Sequence, residues 1–409
     1  MRTGVAAGLV LAALALAIWW KLQPPPPGKW QTEVYVWQRG ESPALREALE
    51  KSHEVATRRH FLGVEIGRDG SEWRVSRTTL PDDLLAGEGL VLRIGASLAG
   101  QSWQDGEALE RVLKEAAWMA AKPVAECQID YDSPQRSLAN YRLLLEAIKK
   151  RFPQKRWTLT ALPSWLGEAD AAALFVAADG VVLQVHSLTL PERPERPVIL
   201  CDPVAARAAV HRMSRFDVPF LVALNTYGCE VFFDENGGVL DVVSEDVPQS
   251  PPNGAVRRTA GISEATELAA LVAEWRNHRP PGMRGVVWYR LPLETDRRNW
   301  RWITWQRAAA GKLPHSNLRV EARRAGEGLW DLVLKNDGER DERLPESIAA
   351  GCATLALDGL NGYTAATGDQ WILEEAAWPW LAPGDSLTIG WLRPVDDAAT
   401  PAPRVVSRP

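Results

Sequence analysis

Eight short β-forming runs, most of them separated by helical segments, constrain this chain more than any other feature. They span 33–38 (EVYVWQ), 61–67 (FLGVEIG), 90–96 (LVLRIGA), 125–132 (AECQIDYD), 156–162 (RWTLTAL), 180–186 (GVVLQVH), 219–227 (PFLVALNTY) and 285–291 (GVVWYRL). Alternating strands and helices build a parallel sheet covered by its crossovers, and eight such units close naturally into a (β/α)8 barrel, here over 31–312. An open doubly wound sheet would need a glycine-rich first turn, which the sequence lacks. Ser42-Pro43 and Asp202-Pro203 each supply a capping side chain followed by proline at the first helical position. Leu109, Val112, Leu113, Ala116 and Ala117 form one helical stripe, and Leu138, Tyr141, Leu145 and Ile148 another. Connections into strands are short, whereas those leaving the third, sixth and seventh runs are long. The last of these includes a hairpin turn at Asn236-Gly237.

The fourth run carries polar groups where a buried strand should be apolar. Side chains alternate along a strand, so Glu126, Gln128, Asp130 and Asp132 share one face, with Cys127, Ile129 and Tyr131 opposite. In a barrel the apolar face meets the helices, and the polar face climbs the inner wall toward the C-terminal mouth. The same parity turns Glu65, Arg93, Gln184, His186, Asn225, Trp288 and Arg290 inward, and Tyr227 joins them as a candidate binding residue. So many polar groups are costly to bury unless they bond one another or a ligand. Asp130 and Asp132 stand roughly 6 to 7 Å apart along the strand, and their repulsion raises one pKa toward neutrality, which suits a proton donor. Asp132 and Asp130 are therefore the candidate catalytic pair, with Glu65, Glu230 or Glu294 as the second carboxylate. His186 and Arg290 suit hydroxyl or anionic groups. A structural ion network with Arg93 or Arg290 is the competing role for the aspartates. Glu65, Asp130, Asp132 and His186 lack tight ligand spacing, so neither metal nor cofactor is expected.

QIDYD on the fourth run, with LTALPSW, LQVH and GVVWYRLP at later strand ends, resembles an uncharacterised bacterial family of unknown function over about 33–291. More distantly, Gln128-x-Asp130-x-Asp132 is similar to the DxDxE signature of chitinase-type glycoside hydrolases. That resemblance implies Asp132 as general acid, Asp130 as its partner, and Trp288 as the floor of a sugar subsite. This chain has Asp132 where that family has glutamate, and Gln128 where it has the first aspartate.

From about 315 the pattern changes to short strands with turn signals, the mark of a small all-β, sandwich-like domain over 315–395. Residues 396–409 read as a disordered tail. At the other end, a basic start and an apolar run over 5–20 read as a signal anchor or a cleaved signal peptide within 1–22. A proline-rich linker over 23–30 follows. Either alternative exports the chain, to the periplasm or to the outer face of an inner membrane. Export makes the four cysteines disulfide candidates, Cys201 with Cys229 foremost. A net charge of -5 argues against nucleic acid as a partner. A carbohydrate ligand and a membrane contact through the N-terminal segment are the expected partners, and the 19 tryptophans agree with the first. Three functional classes follow: an extracytoplasmic glycoside hydrolase, an inactive glycan-binding barrel, and an envelope scaffold.

Overall fold

The computed structural model describes residues 28–186, 190–191, 193–244, 251–374, 378–396 and 398–407. The anchor or signal segment, 1–22, lies outside the described residues, as does most of the proline-rich linker. Among the described residues no helix is long and apolar enough to cross a membrane.

The first half of the barrel contains β1 (Gln31–Val36), α1 (Pro43–Ser52), β2 (Arg58–Asp69), β3 (Glu72–Arg77), α2 (Asp82–Leu85), β4 (Gly89–Ile94), α3 (Glu107–Ala120), β5 (Glu126–Tyr131) and α4 (Leu138–Arg151). The second half adds β6 (Arg156–Ala161), α5 (Ala171–Ala177), β7 (Val181–Gln184), α6 (Pro203–Met213) and β8 (Phe220–Asn225). A three-stranded excursion, β9 (Gly228–Phe233), β10 (Val239–Val243) and β11 (Arg257–Ile262), precedes α7 (Ala265–Asn277), β12 (Met283–Tyr289) and α8 (Trp302–Ala309). Strands β1, β2, β4, β5, β6, β7, β8 and β12 pair in parallel, and β12 returns to β1, which closes an eight-stranded barrel. Strand β3 pairs antiparallel with β2 outside the ring.

Local chemistry explains the helix starts. Ser42 Oγ accepts the Leu45 N–H at 3.1 Å, and Asp202 accepts the N–H groups of Val204 and Ala205. Helix α4 buries the whole Leu138, Tyr141, Leu145 and Ile148 stripe, and α3 buries Leu109, Val112 and Ala116 but leaves Ala117 exposed. On β5 the outward residues Cys127, Ile129 and Tyr131 are buried, and Tyr131 packs edge-on against Tyr141 of α4, with ring centres 5.2 Å apart. Gly237 takes a positive φ of 82° in the turn from β9 to β10, the conformation that glycine adopts most readily.

The C-terminal region is all-β. Strands β13 (Leu318–Gly326), β14 (Leu329–Asn336), β17 (Thr354–Gly359) and β21 (Ser386–Pro394) form one sheet. A second sheet joins β16 (Ser347–Ala349), β18 (Tyr363–Ala366), β19 (Gln370–Leu373) and β22 (Arg404–Ser407), and β15 (Glu342–Arg343) pairs with β20 (Trp380–Leu381). Leu332, Leu334 and Ile389 from the first sheet share one apolar cluster with Ile348, Tyr363 and Trp371 from the second. Within the expected disordered tail over 396–409, residues 404–407 are instead β22, which pairs antiparallel with β16 and so has partners for its backbone groups in the sheet. The described residues from Gln31 onward form one compact unit. Arg340 reaches Glu264 at 3.1 Å and Thr266 at 2.7 Å, and Arg301 reaches Asp385 at 2.9 Å, tying the two regions together. Cys127, Cys201, Cys229 and Cys352 are all free thiols, so the Cys201–Cys229 bridge is absent.

Candidate active site

The barrel interior is polar along much of its axis, and its groups bond one another as burial demands. At the N-terminal end His60 bonds Glu33 at 2.6 Å, and Glu126 accepts from Arg58 at 3.1 Å and Arg156 at 3.0 Å. Burial opposes charge on Glu126, yet His60, Thr158, Arg156 and Arg58 together hold its carboxyl below the ordinary value. Above this layer Val91, Val182, Ala223 and Val287 pack around Tyr35. His60 and Glu65 are an odd number of residues apart on β2, yet both face inward. A register shift between Leu62 and Val64, with Gly63 as the extra residue, reverses the parity between them.

Toward the C-terminal ends of the strands the interior opens into a cavity of about 310 Å³. Tyr35, Trp37, Glu65, Arg93, Asp130, Asp132, Thr160, Gln184, His186, Ala223, Tyr227 and Tyr289 line it. Strand ends at this face are where barrel proteins place reactive groups. Arg93 sits between the two aspartates, with Nη1 2.5 Å from Asp130 Oδ2 and Nη2 3.0 Å from Asp132 Oδ2. Thr160 Oγ1 donates to Asp130 Oδ1 at 2.8 Å, so both oxygens of Asp130 are engaged. Asp132 differs: its Oδ1 is buried and has no hydrogen-bond partner among the described residues. Burial raises the Asp132 carboxyl above its ordinary value; Arg93 pulls it back and Asp130 pushes it further up.

His186 is buried, stacked on Tyr289 with centres 5.5 Å apart and edge-on to Tyr227 at 6.2 Å. Burial lowers its pKa to about 4, so the imidazole is neutral over the physiological range. Glu65 carries a two-point contact from Arg39, Nε to Oε2 at 2.9 Å and Nη2 to Oε1 at 3.2 Å. It is the second carboxylate that the cavity offers. Glu230 is instead held by Arg298 away from this wall, with Nε 2.9 Å from Oε2, and Glu294 is 57% exposed beside Arg301.

Four of the expected binding residues are not part of the cavity lining. Gln128 is fully buried below the cavity, bonded to Tyr35 and Thr158. Asn225 bonds Ser263 and the Tyr227 carbonyl. Arg290 pairs with Asp296 in the loop after β12, where the Tyr289–Arg290 peptide is cis. Trp288 is corrected outright: Val287 and Tyr289 face the interior, so Trp288 points out of the ring and packs on Trp300, centres 5.7 Å apart. Tyr35, Trp37, Thr160 and Tyr289 also line the cavity, although strand parity marks only the first three. Glu33, Tyr35 and Trp37 alternate in EVYVWQ just as the acids do on β5. Among the described residues no group of three or more His, Cys, Asp or Glu side chains is arranged to hold a metal ion.

No curated protein matches the sequence. Among solved structures, the Bacillus cereus spore cortex-lytic enzyme SleL is 12% identical, with 71% of this chain and 76% of that one covered at a TM-score of 0.48. A chitinase from Chromobacterium violaceum ATCC 12472 is 11% identical over 69% of this chain and 98% of its own, at 0.46. Chitinase ChiA74 from Bacillus thuringiensis is 9% identical over 90% and 98%, at 0.47. Values this low transfer no chemistry. Residues 319–394 match a domain of unknown function (DUF8456). Residues 90–294, half of the chain and the barrel from β4 through β12, match a domain of unknown function (DUF3142), and the chain belongs to that family.

Proposed function

We propose that the mouth cavity is the active site of an extracytoplasmic glycoside hydrolase in which Asp132 is the proton donor. The observation that carries this is the Asp132 carboxyl: it faces the cavity, its Oδ1 is buried with no partner among the described residues, and burial raises its pKa. A carboxyl with its proton affinity raised in this way can, in its protonated form, protonate the glycosidic oxygen as the bond to the anomeric carbon breaks. Asp130, fixed by Arg93 and Thr160, orients it and keeps its proton affinity high. Tyr35, Trp37, Tyr227 and Tyr289 offer ring faces that suit the C–H faces of a pyranose.

Glu65 serves as the base that takes a proton from the attacking water. Glu65, Arg93 and Asp130 are register partners across three adjacent strands, so the backbones of Glu65 and Asp130 lie about 10 Å apart. That spacing leaves room for a water between Glu65 and the aspartate wall. The apolar run at the N-terminus supports a location outside the cytoplasm. The Arg93–Asp132 contact favours one second reading, a glycan-binding barrel without turnover, because a cation beside the acid holds it ionised.

Release of reducing ends from a panel of oligosaccharides tests the proposal. Turnover by the wild type, reduced about 10²- to 10⁴-fold in Asp132→Asn, supports hydrolysis. Binding without turnover supports the second reading, and neither binding nor turnover refutes both.

A further inference from the structure

A hydrogen-bond chain runs down the barrel axis from the cavity to its N-terminal layer, and its direction is dictated from below. Thr158 Oγ1 lies 2.7 Å from Glu126 Oε1, and an ionised carboxylate can only accept, so the Thr158 hydrogen is committed to it. Thr158 Oγ1 must then accept from Gln128, whose Nε2 is 3.2 Å away. The Gln128 carbonyl is left to accept, and Tyr35 Oη donates to it at 2.6 Å. Arg58, Arg156 and His60 keep the far end ionised. Tyr35 lines the cavity, yet its only hydroxyl hydrogen is spent downward. Thr160 beside it spends its own on Asp130.

We propose that Glu126, a positioning residue beneath the site, fixes the hydrogen-bond direction of Tyr35 at the cavity floor so that Tyr35, like Thr160 with its hydrogen on Asp130, accepts from a ligand and never donates to it. The ligand class is therefore a polyhydroxyl compound that presents O–H donors to the floor, and groups that only accept are rejected there. This rests on the glycan reading of the same cavity and narrows it.

The test has two arms. In the first, exchange of the Tyr35 hydroxyl proton is followed by NMR on the full chain, with Tyr35→Phe to assign the signal. The wild-type proton is protected. In Glu126→Gln a carboxamide can donate to Thr158, the chain reverses, and Tyr35 turns its hydrogen to the cavity with loss of protection. Thr158→Val cuts the link to Glu126 without touching the Arg58 and Arg156 contacts and also loses protection; it keeps the test usable if Glu126→Gln misfolds. Protection unchanged in the folded variants overturns the polarity.

In the second arm, methyl β-D-glucopyranoside and its deoxyfluoro analogues, whose C–F groups cannot donate, are titrated by calorimetry. At least one fluorine-for-hydroxyl exchange lowers wild-type affinity about tenfold, and the loss shrinks in Glu126→Gln. Equal wild-type affinity for all the sugars overturns the ligand class. Absence of any sugar binding alongside a polarity result as expected counts against the glycan reading instead.

Discussion

Replacing Arg93 with methionine tests whether the aspartate pair depends on one cation. Arg93 bridges Asp130, whose side chain is 8% exposed, and Asp132, whose side chain is 39% exposed. Removing one partner of a buried pair costs about 3–5 kcal/mol, whereas an exposed pair contributes about 0–1. The Asp130 contact belongs near the first range and the Asp132 contact to the second. Arg93 is itself a third exposed, so water relieves part of the loss and the net cost at pH 7 is about 2–4 kcal/mol. The deficit has a pH signature. Without the cation, the folded aspartate pair takes up a proton at a higher pH than the unfolded chain does. The folded state then binds more protons, and its stability rises as pH falls. Urea midpoints followed by tryptophan fluorescence at pH 7 and pH 4 measure it: Arg93→Met is far less stable than the wild type at pH 7 and closer to it at pH 4. A deficit equal at both values, or none at pH 7, refutes the assignment of Arg93 as the neutralising group. Arg93→Lys, which keeps the charge, recovers part of the loss.

Three further outcomes follow from the same geometry. Because the folded Asp132 carboxyl is raised, its contribution to stability is present below the unfolded value and lost as pH rises through the folded one; on the proposed function, glycoside turnover falls over the same window. Asp132→Asn flattens that limb in a pH series of urea midpoints. His186 has the opposite sign: lowered to about 4, it contributes stability above the unfolded value of about 6.5 that is lost as pH falls toward 4. The contribution is on the order of 3 kcal/mol; imidazole NMR shifts unchanged from pH 7 to 5, and a flattened acid limb in His186→Gln, check it. Trp288→Ala empties a fully buried site against Trp300 and lowers stability by about 3–5 kcal/mol, read by denaturation, while sugar affinity per folded molecule is unchanged. A selective loss of sugar binding refutes the outward placement of Trp288.

Strand parity made much of the barrel wall legible, because the two-residue alternation of a strand survives closure into a ring. Arg93, Asp130, Gln184 and His186 line the mouth on the faces that counting assigns them. Glu65 does so by way of the β2 bulge, which a single sequence does not announce, and which sets the register of the whole upper half of β2. Parity failed at Trp288 because GVVWYRL can be read with either face inward: Tyr289, the last residue of β12, faces the cavity, and Arg290 lies beyond the strand and follows the loop. Trp300, the ring against which Trp288 packs, comes from that loop, and no local pattern ties the two. The acceptor chain below the cavity was equally hidden: Gln128, Thr158 and Tyr35 come from three strands far apart in sequence. Strand β22 escaped for another reason: Arg404–Ser407 is only four residues long, too short to carry a clear alternation, and it is held by pairing with β16.

Strand β1 lies between β2 and β12, pairing Gln31 with Gly285 on one side and Glu33 with Arg58 on the other. A chain emerging from its amino end can dock β1 on β2 early, but the opposite edge of β1 waits until β12 arrives. For most of synthesis the half-built wall therefore exposes an unpaired edge and the inward acids that closure will seal. Such long-range closure slows folding and leaves strand edges open to aggregation, so a holding chaperone has most to gain before β12 is available.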